Sequence, residues 1–105
     1  MTLNEYQEKA MRTATLASIN LVNSALGMSA EAGEFADVLK KHLYHGHPMG
    51  TEQMIEEAGD VLWYVALAAK ALGVSLEGLA QHNIKKLEKR YPDGFDPERS
   101  LHREE

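Results

Sequence analysis

The sequence contains no cysteine and only three prolines among its 105 residues. Without cysteine the chain has no disulfide and no thiol nucleophile, and a domain of this size buries only about two thirds of its unfolded surface. The prolines, Pro48, Pro92 and Pro97, lie outside the long stretches of apolar periodicity, as expected of residues that a helix interior does not tolerate. We therefore expect one domain with a modest core that self-association helps to complete.

Long apolar runs and an excess of positive charge are also missing. No stretch approaches about 18 consecutive apolar residues, and the N-terminus lacks a basic region followed by an apolar one. We therefore expect no membrane span, no signal peptide and a cytoplasmic location. The formal net charge of -5 opposes non-specific binding to nucleic acid or to an anionic membrane, so neither is an expected partner.

Residues that favour strands are scarce, with 5 Val, 3 Ile and 4 Thr against 13 Ala and 13 Leu. This composition predicts an all-α fold. Apolar residues recur every three or four positions in four segments, at roughly 3–13, 18–44, 51–72 and 75–91, with Asn4, Thr51 and Ser75 as N-caps. We expect an antiparallel helical bundle over residues 1–95, with a four-helix core completed by oligomerisation, and a polar C-terminal tail over residues 96–105.

The same periodicity predicts which helix faces are buried. The predicted core positions include Leu21 and Leu43 on the second helix, Ile55 on the third, and Ile84 and Leu87 on the fourth.

Two pairs of acidic residues form the first candidate functional site. Glu31 and Glu34 are spaced i,i+3, as are Glu57 and Asp60, so each pair shares a helix face. At about 1.5 Å per residue the two pairs lie at similar heights on an antiparallel hairpin. Small residues beside the pairs are expected to let the two helices approach closely: Ala32, Gly33, Ala58 and Gly59.

Facing carboxylates repel one another, and a divalent cation removes that cost. Clustered oxygen ligands suit Mg²⁺, with Mn²⁺ as an alternative. On spacing alone, however, a merely solvated acidic face is the favoured explanation of the pairs. On the last helix Asn83, Lys86 and Arg90 follow one another along one face and suit a polyphosphate, although cations are favoured near a helix C-terminus in any case.

Three blocks of sequence together resemble the MazG-like family of all-α nucleoside triphosphate pyrophosphohydrolases: EAGE at 31–34, EEAGDVLWY at 56–64 and NIKKLEKRYPDGF at 83–95. The resemblance implies Mg²⁺-dependent cleavage between the α and β phosphates of a nucleoside triphosphate or deoxynucleoside triphosphate, giving a nucleoside monophosphate and pyrophosphate. It also implies metal-binding and catalytic roles for the four acidic residues Glu31, Glu34, Glu57 and Asp60, and phosphate contacts for Asn83, Lys86 and Arg90.

Several interpretations stay open at this point. A phosphoribosyl-ATP pyrophosphohydrolase shares this architecture, and a catalytically inactive helical module that binds or regulates would look nearly the same. Trp63 lies on an otherwise polar or small stripe, which favours burial in a homodimer or homotetramer interface, with stacking on a nucleotide base as the alternative. His42, His45 and His47 straddle a helix end and a loop, so we expect solvated loop histidines.

Overall fold

The computed structural model describes residues 1–103 and contains, within that range, five α-helices and no β-strand. The helices are α1 (Leu3–Met11), α2 (Leu21–Tyr44), α3 (Thr51–Ala71), α4 (Leu76–Arg90) and α5 (Pro97–Leu101), and a 3-10 helix at Leu16–Ser18 precedes α2. The predicted all-α class is confirmed.

Helices α2 and α3 form the antiparallel hairpin on which the rest of the molecule is built. The Asn20 side chain caps α2 by accepting a 2.7 Å hydrogen bond from the amide of Asn23. At the other end of α2, the amides of His45 and His47 both donate to the carbonyl of Lys41, and the positive φ of Gly46 permits this turn. A short loop then leads into α3. Thr51, predicted as the N-cap of this helix, is instead its first residue; the cap position is taken by Gly50, which has no side chain to accept a hydrogen bond.

Helices α2 and α3 pack closely at Gly27. A Cβ atom at this position would overlap the ring of Tyr64, so the absence of a side chain on α2 is what lets that ring lie against the helix. Tyr64 is half-buried. The small residues expected to serve this purpose do not: nothing lies within 4 Å of a Cβ built at Gly33 or Gly59, and Ala32 and Ala58 are exposed.

Helix α1 holds the turn between α3 and α4. The Gln7 amide group donates to the carbonyl of Ala66 at 3.3 Å and accepts from the amide of Leu76 at 2.9 Å. Asn4, predicted as the N-cap of α1, instead accepts from the amide of Glu77 at 3.1 Å, and Thr2 caps α1 through a reciprocal pair of hydrogen bonds with Glu5. The predicted cap was wrong because Asn4 stabilises the first turn of a distant helix.

The buried core lies around the second half of α3. Its fully or nearly buried apolar side chains are Val38, Ala66, Leu67, Ala68, Ala69 and Leu76. Gly73, with φ +77°, ends α3, and Ser75 caps α4 as predicted, by accepting from the amide of Gly78.

The predicted core faces were only partly right. Leu21, Leu43, Ile55, Ile84 and Leu87 are all exposed in the single chain. The reason is that α4 bends away from α3 by 96°, so α4 packs through its first turns and leaves the outer faces of α2, α3 and its own second half uncovered.

The predicted polar tail is helical in part. Asp96 caps α5 by accepting from the amide of Glu98, and Pro97 occupies the first helical position, which suits a residue without an amide hydrogen. Residues 104 and 105 of that tail lie outside the described residues. Across residues 1–103 no single helix has the length and apolar character needed to span a membrane, and only the bent pair α3 and α4 meets both conditions jointly.

Candidate metal centre and phosphate-binding residues

The crossing at Gly27 and Tyr64 sets the register of the acidic residues. One helical turn along α2 from Gly27 comes Glu31, and one turn back along α3 from Tyr64 comes Asp60, so the two carboxylates face each other. Glu57 lies beside them. Each of Glu31, Glu57 and Asp60 places one carboxylate oxygen within 4.8 Å of the other two, and we refer to these three residues as the acidic triad.

Glu34, the fourth acidic residue of the predicted site, lies next to the acidic triad and is not part of it. Its negative charge acts on Glu57 across the hairpin and on Lys41 two turns further along α2, where it contributes to a raised Lys41 pKa. The main cause of that raised pKa is the hydrogen bond from Lys41 to Asp37. The structure therefore brings three of the four predicted ligands together and leaves Glu34 at their edge.

The electrostatics of the acidic triad are seen in Glu57. Partial burial raises the pKa of Glu57 above its usual value near 4.5, as do a hydrogen bond with the Glu31 carboxyl and the charges of Glu34, Glu31 and Asp60. Asp37, on the same helix as Glu31, contrasts with this: Lys41 and Lys40 lie 2.9 and 3.2 Å from its oxygens and hold its pKa below the usual range. The carboxylates of the acidic triad thus face one another, whereas the carboxylate of Asp37 faces two lysines.

Tyr6 of α1 also borders this site, and sequence reasoning missed it. Burial, and after it the negative charge of Asp60, raises the pKa of the Tyr6 phenol above 10.0. Tyr6 shares α1 with Gln7, whose hydrogen bonds fix that helix against α3. No spacing pattern marks a tyrosine more than fifty residues before Asp60 as its neighbour.

The predicted phosphate-binding residues lie on a different part of the chain. Asn83 and Lys86 belong to the stretch 81–89 of α4, whose residues are all exposed, and Arg90 is half-buried. Lys86 and Arg90 line a cleft beside α5 together with other basic residues, and Asn83 is not among its lining residues.

Trp63 has a partner within the chain. Its indole N–H donates to the carbonyl of Ala10 at 3.1 Å and to the hydroxyl of Thr13 at 2.9 Å, and its ring meets Tyr64 edge-on. The reasoning that a tryptophan on this stripe lacks a place in one chain was therefore wrong, because the C-terminal end of α1 supplies it. Whether the half-buried ring also borders an interface or a base stays a prediction.

The three loop histidines are exposed, as expected. One of them, His42, hydrogen-bonds through Nδ1 to the carbonyl of His47 and so closes the loop after α2.

Comparison with known proteins identifies the family. The model of the MazG nucleotide pyrophosphohydrolase domain matches residues 23–95, which span α2, α3 and α4 and include both acidic pairs. The chain belongs to this family. The match confirms the resemblance seen in the sequence and places the acidic triad inside a MazG domain.

A search of curated proteins gives one relative at the level of a significant match, the Gene 37 protein of Mycobacterium phage L5. The two sequences are 38% identical over 73 residues, an alignment that covers 66% of this chain and 64% of the phage protein. The chain therefore spans somewhat less than two thirds of that protein. No solved structure matches the MazG domain described here.

Proposed function

We propose that this MazG domain hydrolyses a nucleoside triphosphate or deoxynucleoside triphosphate at the bond between the α and β phosphates. One water is added across that anhydride, and the products are a nucleoside monophosphate and pyrophosphate. The observation that supports this most strongly is the convergence of Glu31, Glu57 and Asp60 from two facing helices, in a chain whose family is that of nucleotide pyrophosphohydrolase domains.

The donor atoms of the acidic triad fit a divalent metal ion. Three carboxylate oxygens lie within reach of one cation, and Mg²⁺ and Mn²⁺ are the ions that prefer such ligands. Glu31, Glu57 and Asp60 would hold the ion, with Glu34 beside them. When bound, the ion would lower the pKa of a coordinated water and neutralise charge on the phosphates.

The chain's own residues then have separate tasks. Glu34 lies outside the acidic triad, so in this proposal its carboxylate accepts the proton of the attacking water. Lys86, with Asn83 and Arg90, holds the phosphates of the leaving pyrophosphate. Phosphoryl transfer depends mostly on such positioning and electrostatic stabilisation, and it needs no covalent nucleophile from the protein.

The test is product identity. A panel of canonical and modified nucleoside triphosphates, together with phosphoribosyl-ATP, is incubated with the full chain and Mg²⁺ or Mn²⁺, and pyrophosphate and orthophosphate are measured separately. We expect pyrophosphate release that EDTA stops and Mg²⁺ restores. Orthophosphate without pyrophosphate, or no turnover of any substrate, would contradict this proposal and favour a binding or regulatory module.

Neighbouring glutamates provide a matched control. Glu57→Gln removes a carboxylate of the acidic triad, and Glu56→Gln removes the adjacent exposed carboxylate, with the same change of charge and volume. We expect Glu57→Gln to abolish turnover and Glu56→Gln to have nearly the same turnover as the protein without substitution. Equal effects of the two substitutions would contradict a specific role for the acidic triad.

We further propose that the chain works as a homodimer or homotetramer. Leu26 is 66% exposed and Ile55 67% exposed, on the outer faces of α2 and α3, and Ile84 and Leu87 are uncovered on α4. Exposed apolar residues of this number on a small domain favour burial against another copy. We infer that assembly brings the exposed half of α4 from one copy toward the acidic triad of another.

The cytoplasm remains the proposed location of the protein.

Mass and mixing experiments test this assembly. Sedimentation equilibrium at micromolar protein should give a multiple of 11.7 kDa, and a mass near 11.7 kDa would contradict self-association. If the site is shared between copies, a refolded mixture of the inactive variants Glu57→Gln and Lys86→Ala should regain part of the activity, because some mixed sites combine two intact contributions. A mixture that stays inactive would place both residues in a site within one copy.

A further inference from the structure

Helix α1 is anchored to the rest of the chain away from the acidic triad. The Asn4 side chain accepts a hydrogen bond from the amide of Glu77 at 3.1 Å, in the first turn of α4. The Gln7 side chain accepts from the amide of Leu76 at 2.9 Å and donates to the carbonyl of Ala66 on α3. These bonds fix the N-terminal half of α1, so a group at its other end acts on α3 from a defined position.

The C-terminal end of α1 meets one side chain of α3. The indole N–H of Trp63 is shared between the carbonyl of Ala10 at 3.1 Å and the hydroxyl oxygen of Thr13 at 2.9 Å. A threonine hydroxyl has one hydrogen to donate and two lone pairs that accept. The Thr13 hydroxyl donates its hydrogen to the carbonyl of Ala10 at 2.7 Å, which leaves its lone pairs for the indole. The two acceptors together fix the orientation of the Trp63 ring.

Trp63 and Tyr64 hold α3 from two sides. Trp63 bonds to the end of α1, whereas the ring of Tyr64 lies against Gly27 of α2. The two rings meet edge-on, with 4.9 Å between centroids and 81° between planes, an arrangement that aromatic pairs favour. Neighbouring residues of a helix with 3.6 residues per turn point about 100° apart. The two contacts together therefore oppose rotation of α3 about its own axis.

The rotation of α3 decides whether the acidic triad meets. Asp60 precedes Trp63 by three residues and Tyr64 by four, so it shares a helix face with each. A side-chain atom lies about 5–6 Å from the helix axis, so a rotation of about 10° displaces it by about 1 Å. Such a rotation would carry Asp60 and Glu57 together, relative to Glu31 on α2. Metal–ligand distances are defined to about 0.2 Å, so a displacement of this size weakens a site shared between two helices.

We propose that Thr13 is a positioning residue for the acidic triad. Its hydroxyl holds the Trp63 ring, the contacts of Trp63 and Tyr64 set the rotation of α3, and this rotation places Asp60 opposite Glu31. Thr13 acts through Trp63 and is not itself a ligand. This role rests on the metal site of the proposed function, and it concerns how tightly that site binds a cation, whether or not a nucleotide is then hydrolysed.

The direct test is the affinity of the full chain for Mn²⁺, measured by isothermal titration calorimetry without nucleotide. Thr13 is exposed, so Thr13→Val removes the hydroxyl without opening the core. It should weaken Mn²⁺ binding about tenfold, the lower end of the range for groups that orient metal ligands. Thr13→Ser keeps the hydroxyl and should keep the affinity. Thr51→Val is the matched control, because Thr51 is likewise an exposed threonine, at the first residue of α3, and should leave the affinity unchanged.

A double variant shows whether Thr13 acts through Trp63. Trp63→Phe keeps an aromatic ring and removes the indole N–H, so it should weaken Mn²⁺ binding at least as much as Thr13→Val. Adding Thr13→Val to Trp63→Phe should then cause no further loss, because the two residues act as one unit. Trp63 is the single tryptophan of the chain, so near-UV circular dichroism in EDTA reports its ring orientation. This signal should change in Thr13→Val and stay the same in Thr13→Ser and Thr51→Val.

The outcomes separate this role from the proposed function. Equal Mn²⁺ affinity in Thr13→Val and in the unchanged protein would overturn the role of Thr13, even if the chain releases pyrophosphate from nucleotides. Losses that add up in the double variant would also overturn it, because Thr13 would then reach the metal site by a route without Trp63. Mn²⁺ binding that depends on Thr13, in a chain that hydrolyses none of the tested nucleotides, would uphold the role and remove the proposed function. Absence of Mn²⁺ binding in the unchanged protein would overturn both.

Discussion

A methyl group added at Gly27 tests the helix crossing on which the acidic triad depends. The Cβ of Gly27→Ala would overlap the Tyr64 ring, which is itself held edge-on against Trp63 with 4.9 Å between ring centroids. The ring cannot move without disturbing this pair. Overpacking of this kind costs about 1–3 kcal/mol, whereas alanine in place of glycine inside a helix gains about 1 kcal/mol.

Gly33→Ala is the matched control on the same helix. Nothing lies within 4 Å of a Cβ built at Gly33, so this variant should show only the gain in helix propensity. The difference between the two variants isolates the overlap and should be about 1–3 kcal/mol. With about 2.1 cal/mol/K of unfolding entropy per residue over 105 residues, this difference corresponds to about 5–14 °C in melting temperature.

Thermal unfolding followed by far-UV circular dichroism, in EDTA, measures this difference. Because Glu31 lies one turn beyond Gly27, the same substitution should also reduce the stabilisation by Mg²⁺. A Gly27→Ala protein that melts at or above the temperature of Gly33→Ala would refute the close approach of α2 and α3 at this point.

Three further predictions follow from the site. Mg²⁺ at about 100 times its dissociation constant should add about 2.7 kcal/mol, or about 12 °C in melting temperature, and Asp60→Asn should abolish this rise. The raised pKa of Glu57 means that its contribution to stability is fully present below about pH 4.5 and is lost as the pH rises through the folded-state pKa. In EDTA at pH 7, Glu57→Gln should therefore have a higher melting temperature than the unchanged protein, and this difference should shrink as the pH falls. A difference that widens on acidification would contradict the reasoning. Trp63→Phe loses the indole N–H that Ala10 and Thr13 share and should cost about 0.5–1.5 kcal/mol without dissociating the proposed assembly, whereas dissociation in sedimentation would place Trp63 at the interface.

Local signals in the sequence were sufficient to predict the four helices α1 to α4, although not the N-caps of α1 and α3. Glycine at position 73, serine at 75 and the loop before Thr51 act through their own backbone conformation or hydrogen bonds, so their effects are readable without knowledge of the fold. The i,i+3 spacing of the acidic pairs is equally local, and three of the four residues, Glu31, Glu57 and Asp60, meet across the α2 and α3 hairpin as it predicted, whereas Glu34 lies at their edge.

Long-range contacts could not be predicted from local sequence signals. Gly27 was not distinguished from Gly33, because which glycine meets an aromatic ring depends on the rotation of α2 against α3. Tyr6 and Asn4 reach residues more than fifty positions away, and no spacing rule links them to Asp60 or Glu77. The exposure of Ile84 likewise follows from the 96° bend after α3, which periodicity along one helix does not encode.

The hydrogen bonds of Gln7 and Asn4 also bear on the order in which the chain folds during synthesis. Helix α1 is made before its partners Leu76 and Glu77, which lie 69 and 73 residues later in the chain than Gln7 and Asn4. At a translation rate of about 5–20 residues per second, α1 waits several seconds for them. A nine-residue helix is marginal in water on its own. Helix α1 therefore leaves the ribosome before α2 and α3 but docks after them, once the first turn of α4 has been made.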